Sequence, residues 1–418
     1  MTVKTLEEYL NCYLYQYYTY LDLYFEDKET YKELHKYAYE RQTEPEFQVV
    51  LGYLYKYGES GTQDLNLAFQ YFLKAAESGN PHGMYEAGII YENGKVVAKD
   101  MTKALQWYKA AADLNHNSAL CKLGYLYDYG IGVQESAKLA FDYYKASAML
   151  GNATAINNLA LCYKNGRGVE VNKAKAVELF EMAVEKGYKN SMNSLGLMYE
   201  KGEGTAVNKK RAFELYLMAA ERDHAGAMNN TGYCYEFGIG TAINYPKAFE
   251  WYQKGAAKGD MYAMRNLALM YRYGRGVPAN IKSSVYWQEQ AAYKGNPSSM
   301  VSIGYSYEIG ECVPQSYEKA FKWYSEAAKA GNNLAYNNLA VYYEKGWYVK
   351  ADIRKAIEYY QKAANAGEGV ALSNLGLCYQ YGRGVPVNYT KALEYFKKAA
   401  DAGYEKANEY YNKLKNRF

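Results

Sequence analysis

The sequence predicts an all-α protein, an α/α superhelical solenoid of about ten 36-residue helix–turn–helix repeats. Three observations carry this. Every thirty-sixth residue from Gly52 reads Gly52, Gly88, Gly124, Ala160, Gly196, Gly232, Ala268, Gly304, Ala340 and Gly376, without an insertion or deletion. Three residues after each stands a tyrosine, from Tyr55 and Tyr91 to Tyr343 and Tyr379. Six residues after each stands a glycine, from Gly58 and Gly94 to Gly346 and Gly382. A period between about 20 and 50 residues marks an array of small units, none able to bury its apolar face alone, so neighbours stack and share one elongated core.

Positions are counted from the Gly/Ala residue as zero. Leucine at −1, as in Leu51, Leu123, Leu159, Leu195 and Leu267, and tyrosine at +3 lie four apart and share one helical face. This is helix A, and its small residue at zero lets a neighbour come close. Glycine at +6 points to a left-handed C-cap, where a side chain would be strained. A second glycine often follows, as in Gly166-Arg167-Gly168-Val169. Helix B then carries alanine at +16 in nine repeats, with Ser284 the exception, and an aromatic pair at +19 and +20 such as Trp107-Tyr108 or Trp251-Tyr252. Small residues return at +23 and +24, as in Ala75-Ala76, so that large and small positions alternate as closely packed helices require. Glycine at +27 closes the helix in eight repeats, including Gly79 and Gly151. Pro246, Pro278, Pro314 and Pro386 are expected in the A–B loops, and Pro81 and Pro297 in a first helical turn.

The ends depart from the repeat. Residues 1–45 read as a tyrosine-rich helical cap, with Leu6, Leu10, Tyr13, Tyr17 and Leu21 at helical spacing, a break at Asp27 to Thr30, and a second run from Tyr31 to Arg41. The same tyrosines could instead form a binding surface. Residues 46–404 hold the repeats. Residues 405–418 are expected to form a capping helix with Ala407, Tyr410, Tyr411 and Leu414 inward.

Composition excludes several functions. Lysine plus arginine number 49 against 45 acidic residues in 418, a net charge of +4 without the concentrated basic stripe that nucleic acid requires. No apolar run approaches the roughly 18 residues of a membrane span, and Glu7 and Glu8 interrupt the stretch a signal peptide would need. A cytoplasmic protein without membrane contact is expected, with secretion by a non-classical route as the alternative. The six cysteines have no C-x-x-C pair, and Cys162, Cys234 and Cys378, all at +2, read as reduced core residues. His35, His82, His116 and His224 sit in different units, His116 and His224 at one corner phase, with no metal-ligand spacing. The carboxylates read as a solvated face interspersed with lysines. The Gly-x-Gly loops follow a helix and not a strand, so they are not dinucleotide sites. No catalytic residue, metal or cofactor is expected.

The pattern Asn-Leu-Gly-x-x-Tyr-x-x-Gly-x-Gly, followed by Lys-Ala-x-x-Trp/Tyr-Tyr-x-Lys-Ala-Ala-x-x-Gly, resembles the Sel1-like repeat, a relative of the tetratricopeptide repeat; Leu375-Gly376 to Gly403 matches it almost completely. Tetratricopeptide units have a period of about 34 residues and lack the glycine loop. The resemblance implies a right-handed superhelix in which A helices line a concave groove, and an adaptor function in protein complexes. The paired cysteine of some secreted bacterial members and the C-terminal prenylation motif of some fungal ones are absent from this sequence.

The candidate binding residues lie on helix A. At −3 stand Asn157, Asn193, Asn229 and Asn337, and at −2 Asn158, Asn230, Asn266, Asn338 and Asn374. An amide both donates and accepts, so a row of them can pair with the backbone of an extended peptide, the contact expected of Asn157, Asn193, Asn229 and Asn337, or else tie adjacent A helices together. At +1, Tyr53, Tyr125, Tyr233 and Tyr305 alternate with aliphatic residues, and by analogy with tetratricopeptide grooves this phase lines the concave wall. Tyr125, Tyr233 and Tyr305 are the expected anchors, since rigid amphipathic rings suit interfaces. The function expected is a non-enzymatic, monomeric adaptor that holds a peptide or helix of a partner protein. The alternatives are a secreted or lumenal microbial factor binding a host protein, for which Asn152, Asn229 and Asn388 offer glycosylation sequons, and a hydrolase-like activity claimed for some relatives.

Overall fold

The structure, a computed structural model, describes residues 28–58 and 61–416. The helical run from Leu6 to Leu21 lies outside the described residues. Among those described there are 22 α-helices and no strand. The chain divides into two compact units, Met1–Val207 and Asn208–Phe418. In the first unit the helices are α1 (Lys28–Glu40), α2 (Pro45–Tyr57), α3 (Leu65–Glu77), α4 (Pro81–Asn93), α5 (Met101–Asp113), α6 (Asn117–Tyr129), α7 (Ala137–Met149), α8 (Ala153–Asn165), α9 (Lys173–Glu185) and α10 (Lys189–Lys201). In the second they are α11 (Lys209–Glu221), α12 (Ala225–Phe237), α13 (Tyr245–Ala257), α14 (Met261–Tyr273), α15 (Ile281–Tyr293), α16 (Pro297–Ile309), α17 (Tyr317–Lys329), α18 (Asn333–Lys345), α19 (Ile353–Asn365), α20 (Gly369–Tyr381), α21 (Tyr389–Asp401) and α22 (Lys406–Lys415). Even-numbered helices from α2 to α20 are A helices, and odd-numbered ones from α3 to α21 are B helices. Within each unit every helix packs mainly against its neighbours in sequence, the arrangement of a solenoid.

Local chemistry sets the ends. All ten +6 glycines take the left-handed conformation, with φ between 65 and 75°. Each B helix opens on Asp, Asn or Ser at +12, from Asp64 to Asn388, whose side chain accepts the N–H three residues on. These caps are a sequence signal that the repeat reading passed over. Asn115 and Asp223 replace glycine at +27 and still adopt φ of 58 and 60°, as short polar side chains can. Pro246 is a correction: it is the second residue of α13, not a loop residue, because helix B begins at Tyr245. The break expected from Asp27 to Thr30 is also shorter than the sequence suggests, since α1 already begins at Lys28.

The core is the seam between A and B helices. A Cβ added to Gly88 would stand 2.5 Å from the Tyr108 ring, and one on Gly304 2.8 Å from Tyr324, so the zero position is small because the +20 ring of its own repeat lies against it. Tyr108, Tyr252, Tyr324 and Tyr360 are at most 1% exposed. Each donates its hydroxyl to a glutamate at +4 of helix A: Glu92 at 2.6 Å, Glu236 at 2.8 Å, Glu308 at 3.0 Å and Glu344 at 2.7 Å. The expectation that carboxylates form only a solvated face therefore fails at this phase. Glu236 and Glu344 also receive an arginine from the following repeat, Arg275 at 2.8 Å and Arg383 at 2.6 Å. Burial first, and then the adjacent Glu236 charge, push the Tyr252 hydroxyl far above its ordinary range. Tyr252→Phe is expected to cost about 1 kcal/mol, the net worth of one buried hydrogen bond, because Arg275 still holds the carboxylate; urea unfolding would measure it.

At the C-terminus Ala407 and Leu414 of α22 are fully buried, and Tyr410 and Tyr411 half-buried. Cys162, Cys234 and Cys378 lie buried in the core. Among the described residues no helix is long and apolar enough to cross a membrane.

Candidate peptide-binding faces of the A helices

The asparagines form short relays from one A helix to the next. In the first unit Asn157 is 5% exposed; its Oδ1 accepts from Ser191 Oγ of α10 at 2.9 Å, and its Nδ2 donates to Asn158 Oδ1 at 3.1 Å. In the second unit Asn266 Nδ2 donates to Asn229 Oδ1 at 2.9 Å, and Asn229 Nδ2 donates to Asn230 Oδ1 at 3.4 Å. The same relay recurs three repeats later, where Asn374 Nδ2 donates to Asn337 Oδ1 at 3.0 Å and Asn337 Nδ2 donates to Asn338 Oδ1 at 3.4 Å. Asn157 and Asn337, both 5% exposed, thus sit behind Asn158 and Asn338, and Asn157, Asn229 and Asn337 each join neighbouring helices. Asn158, Asn193, Asn229, Asn230, Asn266, Asn338 and Asn374 are half-buried, at the edge of solvent.

The +1 tyrosines divide. Tyr125, Tyr233 and Tyr305 are 42%, 43% and 51% exposed. Tyr53 does not line this face. It is 1% exposed, and its hydroxyl donates to Glu86 Oε1 at 3.0 Å, because Glu86 of the next A helix supplies a buried acceptor. The structure adds a row that the sequence reading missed. Tyr57, Tyr129, Phe237, Tyr273, Ile309 and Tyr381, all at +5, are exposed large apolar residues. Tyr125 lies 4.7 Å from Tyr129 between ring centres, and Tyr233 lies 4.6 Å from Phe237. The four-residue step from +1 to +5 was the available signal, since it keeps one helical face.

Histidines also come together. His116 caps α6, its Nδ1 accepting from Ala119 N–H at 3.2 Å, while its Nε2 lies 3.1 Å from Nδ1 of His82 in the preceding A helix. Placing the two in different repeats hides this, because the corner of one repeat meets the first turn of its neighbour. His224 caps α12 in the same way, on Ala227 N–H at 3.0 Å. Burial drives the Cys162 and Cys121 thiols up to about 12, which leaves them protonated and unreactive near neutral pH. Among the described residues no three or more His, Cys, Asp or Glu side chains gather to hold a metal.

A family model described as the Sel1 repeat matches ten successive stretches, 45–80, 81–116, 117–152, 153–188, 189–224, 225–260, 262–296, 297–332, 333–368 and 369–404. Among solved structures, the chain is similar to c5321, a protective antigen of uropathogenic Escherichia coli strains displaying an SLR fold. Identity is 26%, with 93% of this chain and 91% of that one covered, at a TM-score of 0.59. It is also similar to a Sel1 repeat protein from Oxalobacter formigenes, with 26% identity, 72% and 87% coverage, and a TM-score of 0.54. A comparison with curated proteins finds no match. With the ten in-phase repeats, their shared caps and their stacked helix pairs, these matches place the chain in the Sel1 repeat family.

Proposed function

We propose that this protein is a non-enzymatic adaptor, monomeric and cytoplasmic, whose A-helix faces hold a peptide or helix of a partner protein. Sel1 repeat proteins are generally protein-interaction scaffolds, which agrees with the reading. The observation that carries it is the exposed aromatic row, Tyr125 with Tyr129 in the first unit and Tyr233 with Phe237 in the second. Rings held in register on a rigid scaffold lose little entropy on binding, which is what an anchor needs. In this reading Tyr125, Tyr233 and Tyr305 grip side chains. Asn158, Asn193, Asn230, Asn266, Asn338 and Asn374 meet the partner's backbone, and Asn157, Asn229 and Asn337, each bonded to the next amide, fix the amide orientation.

A displayed random-peptide library, selected on the full-length protein, tests this. Replacing Tyr125, Tyr233 and Tyr305 together by alanine is expected to weaken the selected peptides at least tenfold. Stability should change by no more than about 0.5 kcal/mol per site, as for exposed residues generally. Peptides that bind the triple variant as tightly as the wild type would place recognition elsewhere on the molecule.

A further inference from the structure

Within the second unit, Tyr262 and Arg265 stand one turn apart on α14 and, with Asn296, Ser298, Gly331 and Asn332, line a cleft of about 280 Å³. Its far wall is the corner between α17 and α18 and the first turn of α16. Arg265 occupies the −3 position that carries an amide in the Asn229 and Asn337 repeats. Its hydrogen bond runs from Nη1 to a neutral oxygen, Asn266 Oδ1, at 3.3 Å, and among the described residues it forms no ion pair. The other half-buried arginines described in this unit are all neutralised: Arg272 by Glu311, Arg275 by Glu236 and Arg383 by Glu344. Asp260, at the start of the same helix, is committed to the Ala263 N–H at 2.7 Å.

A half-buried guanidinium without a counter-charge has given up hydration with no opposite charge in return. Its planar fork matches one carboxylate through two parallel hydrogen bonds. The rest of the lining favours the same charge: the Tyr262 and Ser298 hydroxyls and the Asn296 and Asn332 amides can donate, and the positive ends of α16 and α18 border the cleft. A single arginine balances one negative charge, which suits a carboxylate better than a phosphate dianion.

We propose that this cleft binds a carboxylate carried by a peptide, either its C-terminus or an Asp or Glu side group. Only the peptide as carrier rests on the adaptor reading above; the carboxylate site does not. Saturation-transfer NMR on the full-length protein tests it with four probes: acetate, acetyl-tyrosyl-alanine, its C-terminal amide, and acetyl-glutamyl-alanine amide. Acetate and at least one carboxylate-bearing peptide are expected to bind, the neutral amide is not, and the tighter of the two acidic peptides identifies the source. Arg265→Gln should weaken binding at least tenfold. Arg222→Gln, which alters an exposed arginine bonded to the Met218 carbonyl, should leave binding unchanged. Equal binding of the neutral amide, an unchanged affinity in a folded Arg265→Gln protein, or no binding by any carboxylate would overturn the proposal. Failure here leaves the tyrosine-variant experiment intact, since Tyr125, Tyr233 and Tyr305 lie outside the cleft.

Discussion

Gly168→Ala is expected to destabilise the protein by about 3 kcal/mol or more, the sum of two separate costs. Gly168 holds φ at 73°, a conformation that costs an L-residue about 1–2 kcal/mol. A methyl group there would also press into backbone, standing 2.6 Å from the carbonyl carbon of Ala137 at the start of α7. Relieving that overlap would shift one repeat against the next, at a further cost of about 1–3 kcal/mol. Two other glycines separate the costs. Gly187 has φ of 79° with nothing within 4 Å of an added Cβ, so Gly187→Ala should cost only about 1–2 kcal/mol. At Gly384 the nearest atoms belong to the flexible side chains of Ile353 and Ile357, and the cost should fall between. Cys312 and Tyr348 occupy the same phase as Gly168 with φ of 58 and 61°, so the conformation alone is tolerable. The backbone approach makes Gly168 different. Urea unfolding of the three variants measures the series, and equal losses would show that the approach carries no weight.

Acid is expected to weaken the first unit through its histidine pair. Burial first, and the charge of His82 second, hold His116 down to about 3, and burial also lowers His82. In the unfolded protein both titrate near 6.5. The folded state therefore binds fewer protons below that pH. The stability linked to these groups is whole above about pH 6.5 and is lost as pH falls toward 3. One proton per group corresponds to about 1.4 kcal/mol per pH unit, so His116 alone accounts for about 2 kcal/mol by pH 5. His116→Asn isolates the effect, because Asn80, Asn152, Asn296 and Asn332 perform the same cap at the same phase. At pH 7.5 the variant should lie within about 1 kcal/mol of the wild type, having lost one hydrogen bond to His82. Between pH 7.5 and 5 its loss should be about 2 kcal/mol smaller. An identical pH dependence in the two proteins would remove His116 from the account.

The helices and their ends were legible because their signals are local. Gly58 or Gly382 announces a left-handed cap within one turn, and Leu at −1 with Tyr at +3 marks a face within four residues. The +12 caps, Asp64 through Asn388, were equally local and could have been read from the same alignment of repeats. The candidate face was legible only in part. The phase of Tyr125, Tyr233 and Tyr305 was visible, but not the burial of Tyr53, which depends on an acidic residue 33 positions away at Glu86. Nor could the sequence show that Glu236 is clamped between Tyr252 and Arg275, because the arginine lies 39 residues on.

By itself, then, the sequence determined the repeat, its helix register and which residues share a phase. Each of those follows from spacing along one helix, and ten in-phase copies remove ambiguity. Only the tertiary structure decided which polar groups meet. It brought His82 to His116, set Asn266 against Asn229, and left Arg265 on a cleft without a carboxylate while its neighbours were neutralised. The physical reason is that stacking places each side chain beside the next repeat, roughly a full period away. Equivalent positions therefore look alike in sequence and differ only in the partner that the neighbouring repeat supplies.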